Sequence, residues 1–186
     1  TETYAKVVEF AQQFTPELVS RIEHYPGERP ILDLYSTEDE IQRALQPKVE
    51  LKSGGHLVID QTEALMAIDV NSGKFVGRTS LEETTLRINL EAVNEVVYQL
   101  RLRNIGGLII IDFIDMDHGK NRESVVERVG EALAQDKARW SLGEISKFGL
   151  LEMSRQRIAS SLSNNDPILS TANRIVRRIQ DLAVDY

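Results

Sequence analysis

The first apolar residues of the chain, Val7, Phe10, Ala11 and Phe14, recur at i, i+3, i+4 and i+7, which predicts a helix over Thr3 to Phe14 with one apolar face. Pro16 opens a new segment, and the Pro and Gly cluster from Tyr25 to Pro30 predicts a loop. Ser36, Thr37, Glu38, Asp39 and Glu40 precede Ile41, Ala44 and Leu45 as a capped helix start would, and Pro47 ends that helix. The period then changes. Lys48 to Lys52 and His56 to Asp60 flank a Ser53-Gly54-Gly55 turn and, with Ala64 to Val70, predict an antiparallel meander. After Asn71-Ser72-Gly73, a loop rich in Gly, Ser and Thr leads into a long amphipathic segment, Leu81 to Arg103, in which Leu86, Leu90, Val93, Val97 and Leu100 keep helical spacing. Gly106-Gly107 stops it. Leu108 to Asp115 is apolar nearly to its end, the pattern of a strand buried on both faces of a sheet. Further helices are expected near Arg122 to Ala138 and about Pro167 to Ala183, across a Ser-, Asn- and Asp-rich linker from Ser160 to Asp166.

Strand, long helix and buried strand make a βαβ unit, whose right-handed crossover sets the two strands parallel in one sheet. The expected fold is therefore α/β or α+β with a mixed sheet. The carboxyl ends of Ala64–Val70 and Leu108–Ile114 should then emerge at one sheet edge, where ligand crevices of α/β proteins form. Asp69 and Asp112 stand at those ends. Neighbouring strands lie about 4.8 Å apart, so adjacent strands could bring both carboxylates to one small cation. Mg²⁺ suits such hard oxygen ligands, with Mn²⁺ as an alternative. Asn71, two residues after Asp69, falls on the same face and could hold a carboxylate or donate to a phosphate oxygen. The competing reading is that each aspartate simply caps a turn through nearby backbone N–H groups. Asp115 and Asp117 are assigned to the loop after the strand, and Glu82-Glu83 to favourable charge at a helix N-terminus.

Composition narrows the chemistry. With 186 residues, 41% hydrophobic and 27% charged, the chain fits one substantial globular core, alone or with a small appendage. No apolar run approaches the roughly 20 residues that span a bilayer, and the first residues carry no secretory h-region, so the cytoplasm is the expected compartment. The absence of cysteine excludes disulfides and Cys-ligated zinc within this chain, and the three scattered histidines lack ligand spacing. A net charge of −7 disfavours a broad non-specific nucleic-acid footprint. Basic residues nevertheless outnumber acidic ones from Lys137 to Arg178, a run that a solvated helix face explains as well as a binding stripe.

Several blocks are recognisable in order. Ser53-Gly54-Gly55, Asp60-Gln61-Thr62-Glu63-Ala64-Leu65, Ile68-Asp69-Val70-Asn71-Ser72, Asn89-Leu90-Glu91-Ala92, Gln99-Leu100-Arg101-Leu102-Arg103, Ile111-Asp112-Phe113-Ile114-Asp115-Met116 and the run from Phe148 to Arg157 together resemble the catalytic core of the RNase E/G endoribonucleases. The resemblance implies the end of an RNase-H-like subdomain over residues 1–45, a DNase-I-like catalytic subdomain over 46–159, and a linker and helix over 160–186 resembling the start of the family's small domain. It implies that Asp69 and Asp112 are the metal-binding aspartates and that Asn71 assists at the scissile phosphate. The activity it implies is Mg²⁺-dependent cleavage of single-stranded RNA that leaves a 5′-phosphate, in RNA processing or decay. Lys137, Arg139, Lys147, Arg155 and Arg157 become candidates for phosphate contact.

The chain also departs from the family pattern. A Cys-Pro-x-Cys zinc link should follow Arg157, and the chain has no cysteine, so no zinc is expected. The family normally carries an OB-fold RNA-binding domain and a 5′-end sensor upstream of this region, and neither is expected within these 186 residues. Expected partners are therefore single-stranded RNA, RNA-binding domains on a longer chain, or further copies in a homo-oligomer. An interaction or RNA-binding module with weak or no catalysis is the alternative function. A phosphatase or DNase using the same two carboxylates is chemically open, because a metal and two aspartates do not choose between phosphoesters.

Overall fold

In a computed structural model of the chain, residues 2–73 and 81–158 are described. They divide into two compact units, the boundary falling between Ile41 and Gln42. In the first unit, helix α1 (Glu2–Phe14) is followed by a 3-10 turn (Pro16–Arg21) and a short helix α2 (Ile31–Leu34). The apolar face expected of α1 buries only Ala11, while Val7, Phe10 and Phe14 stay exposed and the two phenylalanine rings pack on each other at 4.6 Å. Helix α3 (Thr37–Ala44) spans the boundary.

The second unit is built on a six-stranded mixed sheet. Strands β1 (Lys48–Glu50), β2 (His56–Gln61) and β3 (Met66–Asn71) form the expected antiparallel meander. Helix α4 (Leu81–Leu102) then crosses over to β4 (Gly107–Asp112), which pairs parallel with β3. Helix α5 (Gly119–Leu133) leads to β5 (Trp140–Ile145) and β6 (Leu150–Arg155). The spatial order β1-β2-β3-β4-β6-β5 places β6 antiparallel beside β4. The sequence pattern did not reveal β5 and β6, and it carried α5 past its true end at Leu133. The linker and helix expected over residues 160–186 lie outside the described residues.

The core lies between the sheet and α4 and α5. Leu57, Ile59, Ile68, Val70, Ile109, Ile111, Leu151 and Met153 face Ile88, Val93, Val96, Leu100, Val125 and Leu133. Alternate strand residues necessarily point the other way. One expectation is corrected here: β4 is not buried on both faces, because Ile109 and Ile111 are fully buried while Leu108 is 46% exposed and Ile110 only partly covered. The reason is topological. Both helices pack on the same side, and an antiparallel partner, β6, adjoins β4 without adding a crossover helix to the other. The second face is thereby left more open, with polar residues such as Asp69 and Asp112 among apolar ones such as Leu108 and Ile110.

Candidate active site

This more open face carries the sequence-predicted aspartates. Asp69 and Asp112 are direct register partners across the parallel β3–β4 pair, and both side chains are exposed. Period two explains why they share a face: each follows a buried isoleucine, Ile68 or Ile111, that points into the helix layer. The two carboxylates open into one hollow of about 220 Å³, floored by Ala67 and Ile110 and flanked by Val58 and Leu150. Asn71, also on this face, donates its Nδ2–H to Asp69 Oδ2 at 2.8 Å. Of its two anticipated tasks, holding a carboxylate is the one this geometry displays.

Partial burial, then the neighbouring charges of Asp69 and Asp115, raise the Asp112 carboxyl above its ordinary range. The charges that act on the Asp112 carboxyl are thus both negative. Among the described residues no set of three or more His, Asp or Glu is placed to hold a metal ion as a complete protein cage. A pair of carboxylates fits a cation that retains several waters, as Mg²⁺ does, better than one that demands a full protein cage.

Side chains of α4 hold the ends of both strands. Asn89, fully buried, donates to the Ile114 carbonyl at 2.8 Å and accepts from the Ile114 N–H at 3.1 Å, which fixes the chain just after Asp112. Glu91 accepts the Ser53 N–H at 3.2 and 3.3 Å and anchors the β1–β2 turn. That turn abuts the end of β3: a Cβ on Gly55 would stand 2.5 Å from the Asn71 carbonyl oxygen, so only glycine fits. Glu82, two turns before Asn89, accepts the N–H groups of Asp117 and His118 and the Asn121 amide. The His118 bond foremost lowers its carboxyl below the usual range. Asn89 and Glu91 were not singled out as individual residues from the sequence. The available signal was a carboxamide inside the apolar stripe of α4, beside Ile88, Ala92 and Val93.

The five basic residues expected at phosphate are not brought together. Lys147 is exposed in the β5–β6 turn, next but one to Gly149, whose carbonyl accepts the Phe113 N–H at 3.4 Å. Lys137, Arg139 and Arg157 are exposed near the opposite end of β4, roughly 17 Å away at 3.3 Å per strand residue. Arg157 lies over Gly106, to whose carbonyl its Nε donates. Arg155 is removed from the set. Its guanidinium is 3% exposed, donates twice to Asp136 at 2.8 and 3.0 Å and once to the Ile105 carbonyl, and thus tethers structure rather than facing solvent. A larger hollow of about 600 Å³ between α5 and β5, lined by Arg122, Glu123, Glu127 and Glu144, contains none of the expected site residues.

Comparison with known proteins places the chain in a family. The family model described as the ribonuclease E/G family matches residues 1–158. The chain is 49% identical over 162 residues to ribonuclease G of Salmonella typhimurium, an alignment covering 87% of this chain and 33% of the relative. Against ribonuclease G of Escherichia coli K12 it is 48% identical over the same length and shares. Ribonuclease E of Escherichia coli K12 is 48% identical over 165 residues, covering 86% of this chain and 16% of that protein. The chain thus spans about a third of the length of the ribonuclease G relatives it matches. A match through both described units, at close to half identity, establishes that the chain belongs to the ribonuclease E/G family.

Proposed function

We propose that this chain carries the hydrolytic centre of a Mg²⁺-dependent endoribonuclease that cuts single-stranded RNA and leaves a 5′-phosphate on the downstream product. The observation that carries the reading is the register pairing of Asp69 with Asp112 on adjacent parallel strands of the exposed face. The names of the relatives, ribonucleases G and E, supply the substrate class. Asp69 and Asp112 would hold the cation, and Asn71 keeps Asp69 aimed through its 2.8 Å hydrogen bond. When bound, Mg²⁺ supplies positive charge to the phosphoryl oxygens and lowers the cost of deprotonating the attacking water. The chain's own residues supply position: Asn89 fixes the backbone after Asp112, and Lys147 offers a cation to the phosphate backbone beside the pair.

The test compares the parent with Asp69→Asn and Asp112→Asn on a fluorogenic single-stranded oligoribonucleotide, with Mg²⁺ and with EDTA. Each variant should keep its fold by circular dichroism and lose about 100-fold or more in kcat/KM, the scale of removing one essential transition-state contact. Undiminished cleavage by both variants would sink the proposal. Binding without any cleavage by the parent would instead favour a silent RNA-binding module.

A further inference from the structure

The β5–β6 turn, Ser146 to Gly149, is firmly built and presents an aromatic ring beside the carboxylate pair. The Ser146 N–H donates to the Leu150 carbonyl at 2.9 Å, and the Gly149 N–H to the Ser146 carbonyl at 3.0 Å. The Ser146 hydroxyl oxygen accepts the N–H groups of Phe148 and Leu150 at 3.2 and 3.3 Å. Gly149 adopts φ +80°, and a Cβ there would lie 3.2 Å from the Asp115 carboxylate and 3.9 Å from that of Asp112. The residue before it, Phe148, is 72% exposed, the most exposed aromatic among the described residues of the second unit. Nothing in the turn needs that ring for burial. The Lys147 ammonium lies over it, 5.2 Å from the ring centroid.

We propose that Phe148 is a stacking platform for a nucleobase next to the phosphodiester held at Asp69 and Asp112, with Lys147 meeting the adjoining phosphate. The inference rests on the nuclease reading of that pair and names the contact by which its substrate is gripped. An acidic face repels a polyanion, so binding requires contacts that are not purely ionic, and stacking on an aromatic side chain supplies one without regard to base identity. The same turn carries a cation and a ring on consecutive residues, which matches the alternation of phosphate and base along a single strand; a base stacks on the ring face away from Lys147 or displaces its ammonium toward the phosphate. A duplex, whose bases are already stacked, offers the ring nothing.

The experiment measures binding of the full chain to a fluorescein-labelled single-stranded oligoribonucleotide by anisotropy in EDTA, and cleavage of the same oligonucleotide with Mg²⁺. Phe148→Ala and Phe148→Leu should weaken binding and raise KM by roughly 5- to 100-fold, while Phe148→Trp retains parental values. On an oligonucleotide with abasic sites flanking the cleaved bond, parent and Phe148→Ala should behave alike. The proposal is overturned if leucine serves as well as phenylalanine, if the loss persists on the abasic oligonucleotide, if the parent does not bind, or if Phe148→Ala changes only the sedimentation coefficient. The two readings fail separately: base-dependent binding through Phe148 without cleavage defeats only hydrolysis, and cleavage indifferent to Phe148 defeats only stacking.

Discussion

Asp112 illustrates how a single side chain can oppose the stability of its own fold. Burial and the charges of Asp69 and Asp115 raise its carboxyl, so the folded state favours the protonated form. The stability this group contributes is present below its unfolded-state pKa and is lost as the pH rises through the raised folded value. At neutral pH its charge therefore works against the fold. In EDTA, Asp112→Asn should melt at or above the parent's temperature at pH 7, with the difference vanishing as the pH falls toward about 4. A lower melting temperature at pH 7 would show that the carboxylate is structurally required. Adding Mg²⁺ should raise the melting temperature of the parent and leave that of Asp112→Asn unmoved. That Asp69 and Asp112 share one face at one sheet edge was legible in the sequence, because the βαβ crossover sets their strands parallel and period two fixes the side. Arg155 was not, because its role is set by Asp136, nineteen residues earlier, and no local pattern marks a basic residue as an interior tether.

At the scale of elements, α4 does more than link β3 to β4. Its buried Asn89 satisfies both backbone groups of Ile114, so Asn89→Ala leaves a donor and an acceptor unpaired at a cost of about 1–3 kcal/mol each. The aspartate-bearing end of β4 would then be loosely held. With Asp112 in the proposed role of metal ligand, cleavage should fall about 10- to 100-fold through kcat, with KM little changed. A change confined to KM would count against that positioning role. Helix α4 was readable from its long apolar period, β4 from its apolar run, and the meander from the Ser53-Gly54-Gly55 turn between short strands. Strands β5 and β6 were hidden: β5 contains Gly143 and its pairing slips between Leu142 and Ile145, and the buried row of β6, Leu151, Met153, Arg155, ends in a charge. In the first unit an amphipathic period forecast α1 correctly, yet only Ala11 of that face is buried, since periodicity reports capacity for burial and not its occurrence.

For the second unit as a whole, the Asp136–Arg155 pair joins the segment after α5 to the last described strand and, through the Ile105 carbonyl, to the start of β4. Burial pushes the Asp136 carboxyl up, but hydrogen bonds from Arg155 and the Ala138 N–H, with the charges of Arg155 and Arg101, more than offset it and hold the carboxyl low. A depressed carboxyl contributes stability above its unfolded pKa and loses it as the pH falls through the folded value. The unit should therefore lose stability on acidification below about pH 4, and Asp136→Asn should flatten that acid limb while costing about 3–5 kcal/mol at neutral pH. Urea unfolding between pH 3 and pH 7, at a few closely spaced values, measures both.

The helix that supplies Asn89 and Glu91 also sets a timescale. The amides of Ser53 and Ile114 belong to loops at separate strand ends, yet each is shielded from solvent hydrogen by a side chain of α4. Opening of the middle of that one helix would expose the two together. In native-state hydrogen exchange these protons should report one shared opening free energy, with Glu91→Ala accelerating Ser53 alone and a helix-weakening Ala92→Gly accelerating both.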